Sequence, residues 1–172
     1  MMTMPASAIA VGLGDLHVSK STDLVAYSLG SCIGICLWDP GSKVAAMAHV
    51  VLPTAPAGPV ATPGKFGDTA VPAMLDALKR QGADMQRLRC KIAGGAAVLK
   101  LGGGGSLPNI GARNIEAVRT ALVRAKIRIL AEETGGNQGR TIRLEPPSGR
   151  VLVRTVRGLR SSYERTRAVP RP

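Results

Sequence analysis

Aromatic residues are nearly missing from this sequence: one Trp, two Tyr and one Phe stand among 172 residues. With 45% of the chain apolar, the core must be built from Val, Ile, Leu, Ala and Met packed closely around many glycines. Such a core needs two layers of regular elements, and a chain of this length is expected to make one domain. Cysteine is also scarce. Three is an odd number, no CxxC occurs, and no His/Cys cluster has metal-ligand spacing, which argues against a disulfide framework and a zinc site. A reducing, cytoplasmic setting and no metal or cofactor are expected. No uncharged apolar run reaches the roughly 18 residues of a membrane span. The start, "MMTMPASAIAVGLGDLHVSK", lacks a basic n-region and is broken by glycines and Asp15, so it reads poorly as a signal peptide.

What is abundant is positive charge, a net of +12. Its placement matters more than its size. The stretch "RTVRGLRSSYERTRAVPRP", 154–172, holds six arginines against Glu164 alone, and the remaining charge is spread thinly. Residues 1–156 read as the domain and 157–172 as a basic, disordered tail. Only Tyr163 interrupts that tail, so it lacks the stacking platforms for single strands and nucleic acid is not the expected partner.

Residues 24–38 and 43–52 read as two strands joined by the turn "DPGS". The stretch 53–67, with four prolines and three glycines, is a long surface loop. A helix follows, capped by Asp68 or Thr69, accepting Pro72 early, striped by Val71, Met74, Leu75 and Leu78, and ending at Gly82. The strand "RCKIAG" comes next. A second amphipathic helix runs from Ala112 to Lys126 with Ile115, Val118 and Leu122 on its buried stripe. "IRILAEE", "RTIRLEP" and "RVLVRTV" read as strands, the last two forming a hairpin. The order predicts an α+β domain whose mixed or antiparallel sheets form a sandwich-like body flanked by two or three helices. Glycine pairs at 94–95 and 135–136 and the run at 102–105 lack the GK[ST] or GxGxxG context of a phosphate cradle and read as turns or close approaches.

The stretch "SLGSCIGICLWDPGSKVAAMAHVVLP", 28–53, holds the candidate chemistry. If "DPGS" closes the hairpin, paired residues sum to 81 and Cys32 stands opposite His49, on the same face and within hydrogen-bond reach. Cys36 shares that face opposite Ala45, with no base across from it. An imidazole can take a thiol's proton, lower its apparent pKa and yield a nucleophile suited to an acyl carbon. "LGS" lets the chain turn sharply, so that backbone N–H groups near Gly30 and Ser31 face a developing oxyanion. The bland alternative stands beside this one: a cysteine on an apolar strand and a lone histidine on an apolar face are often core residues.

"LGSC", the His within "AHVVLP", "KIAGGA", "NIGARN" and "TGGNQGR", in this order from about Val11 to Arg154, together resemble the CheD family of chemoreceptor glutamine deamidases. The resemblance implies a hydrolase with Cys32 as nucleophile and His49 as general base, converting receptor glutamines to glutamate through a thioester in chemotaxis adaptation. It also implies methyl-accepting chemoreceptors as protein substrates and a CheC-like phosphatase as a partner. One position departs from the family pattern. The threonine that orients the histidine is replaced by Ala26, and Ser28, two residues along an unbroken strand, or a backbone carbonyl must take its place. Loss of that threonine favours a second reading, a non-catalytic module docking on receptors or on a CheC-like protein.

Overall fold

A computed structural model of the chain describes residues 7–97, 109–156 and 158–161. The glycine run at 102–105 and the arginines beyond Ser161 lie outside the described residues. Ten strands and two α-helices are described, in two five-stranded sheets. The first sheet runs β1 (Ala8–Ala10), β3 (Asp23–Leu29), β8 (Arg140–Glu145), β9 (Arg150–Thr155) and β10 (Gly158–Ser161). The second runs β2 (Leu16–Ser19), β5 (Ala45–Val50), β4 (Ile33–Trp38), β6 (Arg89–Gly94) and β7 (Ile129–Thr134). Each sheet is antiparallel except for one parallel pair, β1 with β3 and β6 with β7. The α+β expectation is met, with α1 (Gly67–Arg80) and α2 (Ile110–Arg124) supplying the helices.

The layering follows from which residues alternate. On β4, Ile33, Ile35 and Leu37 face one way and join Ala46, Ala48 and Val50 of β5 in a core with Met74, Leu78, Val118 and Leu122 of the helices. The opposite face, with Cys36, Ala45 and Met47, packs on Leu24, Ala26, Ile142, Leu144 and Val153 of the first sheet. The second sheet is therefore the middle of three layers and apolar on both faces, which is why "SCIGICLW" reads as a continuous apolar run. Each aliphatic side chain buried there contributes about 1.5–3 kcal/mol. The expected helix stripes hold: Val71, Met74, Leu78, Val118 and Leu122 are buried, with Leu75 and Ile115 packed at the margin.

Three readings are corrected. The run 24–38 is two strands, not one, because the chain breaks at Gly30–Cys32 and crosses from the first sheet to the second. The start of the arginine-rich tail is also ordered, since Gly158–Ser161 pairs antiparallel with β9.

The third correction is the hairpin register. Gly34 pairs with His49 and Trp38 with Ala45, so paired residues sum to 83. The loop is Pro40–Lys43 rather than "DPGS", closed by Asp39 N–H to Val44 O at 2.9 Å, with Lys43 in the left-handed region. Asp39 dictates this. Its fully buried carboxylate accepts from the Gly41 N–H at 2.9 Å, the Ser42 hydroxyl at 2.8 Å, the Asp84 N–H at 2.9 Å and both Nε and Nη2 of Arg87 at 2.8 Å. Those donors, Arg87 foremost, hold its carboxyl well below the usual carboxylate range. Asp39 is thus the first residue of the turn and a staple to the segment before β6.

Candidate active site

A register shift of two residues preserves side-chain parity. Cys32 therefore keeps the face of His49, but diagonally: the residue opposite His49 is Gly34. Diagonal neighbours lie roughly 7–8 Å apart at Cα, with long side chains still able to meet. Gly34 has no alternative. A Cβ there would sit 2.2 Å from Cδ1 of Ile142, across the gap between the sheets.

Cys32 is half-buried at the mouth of β4, whereas Cys36 and Cys90 are buried within the second sheet. Burial pushes the Cys32 thiol up, partly offset by a hydrogen bond from its own backbone N–H. The expected lowering by an adjacent imidazole is not among the causes. Burial raises Cys36 to about 12, against the opposing charge of Lys91, and Cys90 well above its ordinary value.

His49 is buried on β5 and clamped at three points. Its N–H donates to Asp15 O at 3.0 Å, its carbonyl accepts from Gly14 N–H at 2.9 Å, and its Nδ1 lies 3.0 Å from Val11 O. A carbonyl only accepts, so Nδ1 carries the hydrogen, and in the neutral ring Nε2 then holds the lone pair. Nε2 is buried with no hydrogen-bond partner among the described residues. Val11 itself donates to Val25 O at 2.7 Å, so its carbonyl is tied to the first sheet and bridges to the second.

Ser28 does not fill the place of the missing threonine. The strand is bulged between Ala26 and Leu29, and Ser28 takes the left-handed conformation at φ 53° and is exposed, its N–H donating to Thr141 Oγ1. Ala26 is buried against the other sheet. Of the two stand-ins, the backbone carbonyl is the one the structure brings to the ring.

The crossover from Gly30 to Cys32 is held by its carbonyls. Gly30 O accepts from Ala96 N–H at 2.8 Å, Ser31 O from Asn114 Nδ2 at 2.9 Å, and Cys32 O from Gly95 N–H at 2.8 Å. Gly94 permits this approach at φ 118°, since a Cβ there would lie 2.1 Å from Cys32 O. Sequence reasoning missed Val11, Gly14 and Asn114 as parts of the site. The first two act through backbone atoms that carry no residue-type signal, and Asn114 sits in "NIGARN", quoted above without a role.

A half-exposed thiol and a buried imidazole with one unclaimed nitrogen share one face of a hairpin between two sheets, and these are the residue types that cysteine-dependent hydrolases use. The sequence relatives narrow this class. The family model for CheD chemotactic sensory transduction matches residues 51–155. A probable chemoreceptor glutamine deamidase CheD of Symbiobacterium thermophilum is 52% identical over 151 residues, 86% of this chain and 92% of its own. The chemoreceptor glutamine deamidase CheD of Thermotoga maritima is 45% identical over 149 residues, 86% of this chain and 92% of its own. A probable homologue from Methanococcus vannielii, of the same description, is 40% identical over 146 residues, 85% and 94% of the two chains. The chain belongs to the CheD family.

Among the described residues no helix is long and apolar enough to cross a membrane, and no group of three or more metal-ligating side chains occurs.

Proposed function

We propose that this protein is a chemoreceptor glutamine deamidase in which Cys32 is the nucleophile and His49 the general base. The supporting observation is the state of His49: Val11 O at 3.0 Å selects the tautomer whose Nε2 is free to accept a proton, on the strand face shared with Cys32. The Cys32 thiol passes its proton to Nε2 as Sγ attacks the side-chain carbonyl carbon of the substrate glutamine. The tetrahedral intermediate collapses with loss of ammonia, which takes the proton from Nε2, leaving a thioester. Water then gives a proton to Nε2 and attacks the thioester carbonyl. Glutamate leaves, and the thiolate regains its proton from the imidazolium. The raised thiol pKa makes this transfer part of the attack, because little thiolate pre-exists at neutral pH.

Ala26 favours the second reading, a docking module on receptors or a CheC-like phosphatase. It loses force because Val11 O holds the imidazole where a threonine hydroxyl is lacking. The deciding experiment incubates the protein, Cys32→Ala and His49→Ala with a receptor cytoplasmic fragment and follows, by mass spectrometry, conversion of glutamine to glutamate. Conversion by the wild type alone is expected. An inert wild type that still binds the fragment would establish the docking module.

A further inference from the structure

We propose that Asn114 is a positioning residue: it fixes the peptide between Ser31 and Cys32 so that the Cys32 N–H points at the oxygen of the attacked carbonyl. The inference rests on the proposed thiol chemistry and adds the group that stabilises its oxyanion.

Asn114 lies in the first half of α2 and is fully buried. An amide in a helix interior is a poor helix former, and burying one costs free energy unless its N–H groups are used. Both are. Nδ2 donates to Ser31 O at 2.9 Å and to Val51 O at 3.0 Å, while Oδ1 has no hydrogen-bond partner among the described residues. The residue is therefore kept for its donors.

The two acceptors lie just past the end of the β4–β5 ladder, whose last rung is Ile33 with Val50. One amide thus ties the residue before the thiol to the residue two beyond the imidazole. The helix is seated tightly enough to hold it there, since a Cβ on Gly111 would lie 2.5 Å from Gly95 O.

A planar trans peptide sets its N–H opposite its C=O. With Ser31 O drawn toward α2, the N–H of Cys32 must point away from the helix. A donor beside the attacking sulfur lies where the carbonyl oxygen of a bound acyl group would gain negative charge. The sequence placed this donor at Gly30 and Ser31; the peptide orientation moves it to Cys32, with the Ser31 N–H as its neighbour because Gly30 O is held in the same way.

The test separates reactions that develop an oxyanion from one that does not. Cys32 of the full chain is acylated with p-nitrophenyl acetate and, separately, alkylated with iodoacetamide, each to its plateau rate at high pH, in the wild type, Asn114→Ala and Asn114→Asp. Asn114→Asp keeps the shape of the side chain but offers carboxylate oxygens to two carbonyls, and it serves if Asn114→Ala melts below the assay temperature. The acylation rate should fall at least tenfold, toward the roughly hundredfold loss that follows removal of one oxyanion donor, while alkylation stays within about threefold. On a receptor fragment, kcat should fall in step with acylation, with KM little changed. An unchanged ratio of acylation to alkylation, including a parallel loss of both, overturns the role. If the wild type is acylated but leaves receptor glutamines intact, the proposed substrate falls and the ratio still decides the role of Asn114.

Discussion

Replacing Gly34 by alanine tests the spacing between the two sheets at the point where the site lies. An alanine in place of a strand-interior glycine ordinarily stabilises by roughly 0.5–1 kcal/mol, because glycine loses more backbone entropy on folding. Here the new methyl would lie 2.2 Å from Ile142 Cδ1, 3.3 Å from Ile142 Cγ1 and 3.2 Å from Leu29 Cδ1, against the roughly 3.5–4.0 Å of a comfortable carbon contact. Ile142 and Leu29 are both fully buried, so neither side chain has solvent to swing into. Overpacking of this kind costs about 1–3 kcal/mol, which reverses the usual sign of the substitution. With about 2 kcal/mol lost, Tm should drop by about 4–8 °C for a chain of this size.

The double variant locates the cause. Ile142→Val alone should cost about 0.5–1.5 kcal/mol and removes the methyl that the new Cβ meets first. Combined with Gly34→Ala it should recover most of the glycine penalty, a favourable coupling of about 1–2 kcal/mol in a urea-unfolding cycle. Thermal and urea denaturation of the four proteins measure all of this. A Gly34→Ala protein that melts with the wild type, or a double variant whose losses simply add, would refute the claim that Gly34 is demanded by Ile142 across the sheet gap.

The thiols make a second prediction. Native protein should expose one readily titratable cysteine to a thiol reagent and three after denaturation, because only Cys32 is outside the core. Its alkylation should be slow at pH 7 and keep rising beyond pH 9.0, since burial places the thiol above that ordinary value and thiolate appears only as pH climbs through the raised one. A plateau already reached at pH 7 would mean that His49 ionises the free thiol. Third, Ser28→Gly should leave kcat within about twofold and Tm equal or higher, because it removes an exposed side chain from a left-handed position that disfavours one. A tenfold fall in kcat would return Ser28 to the imidazole.

Local pattern determined much of this molecule. Period-3.6 stripes place Val71, Met74 and Leu78 in α1 and Val118 and Leu122 in α2 because those positions share one side of a helix whatever they pack against. Alternation places Cys32 and His49 on one strand face, and that parity survives the register error because the shift was two residues. The resemblance to CheD also lies in the string itself, in five short motifs in order.

Tertiary structure decided the rest. The register was set by Asp39, whose carboxylate collects Arg87, Asp84 and the loop, and nothing within "DPGS" announces a guanidinium 48 positions away. The break at Gly30–Cys32 appears only once two sheets compete for one apolar run. The partner of His49 is a main-chain oxygen of Val11, brought 38 residues along the sequence by the first sheet, and the donor to Ser31 is an asparagine 83 residues on. Backbone carbonyls are the same in every residue type, so their role in a site is invisible in sequence. It emerges only when the fold brings a donor to them, here between two sheets held apart by the width that Gly34 and Ile142 allow.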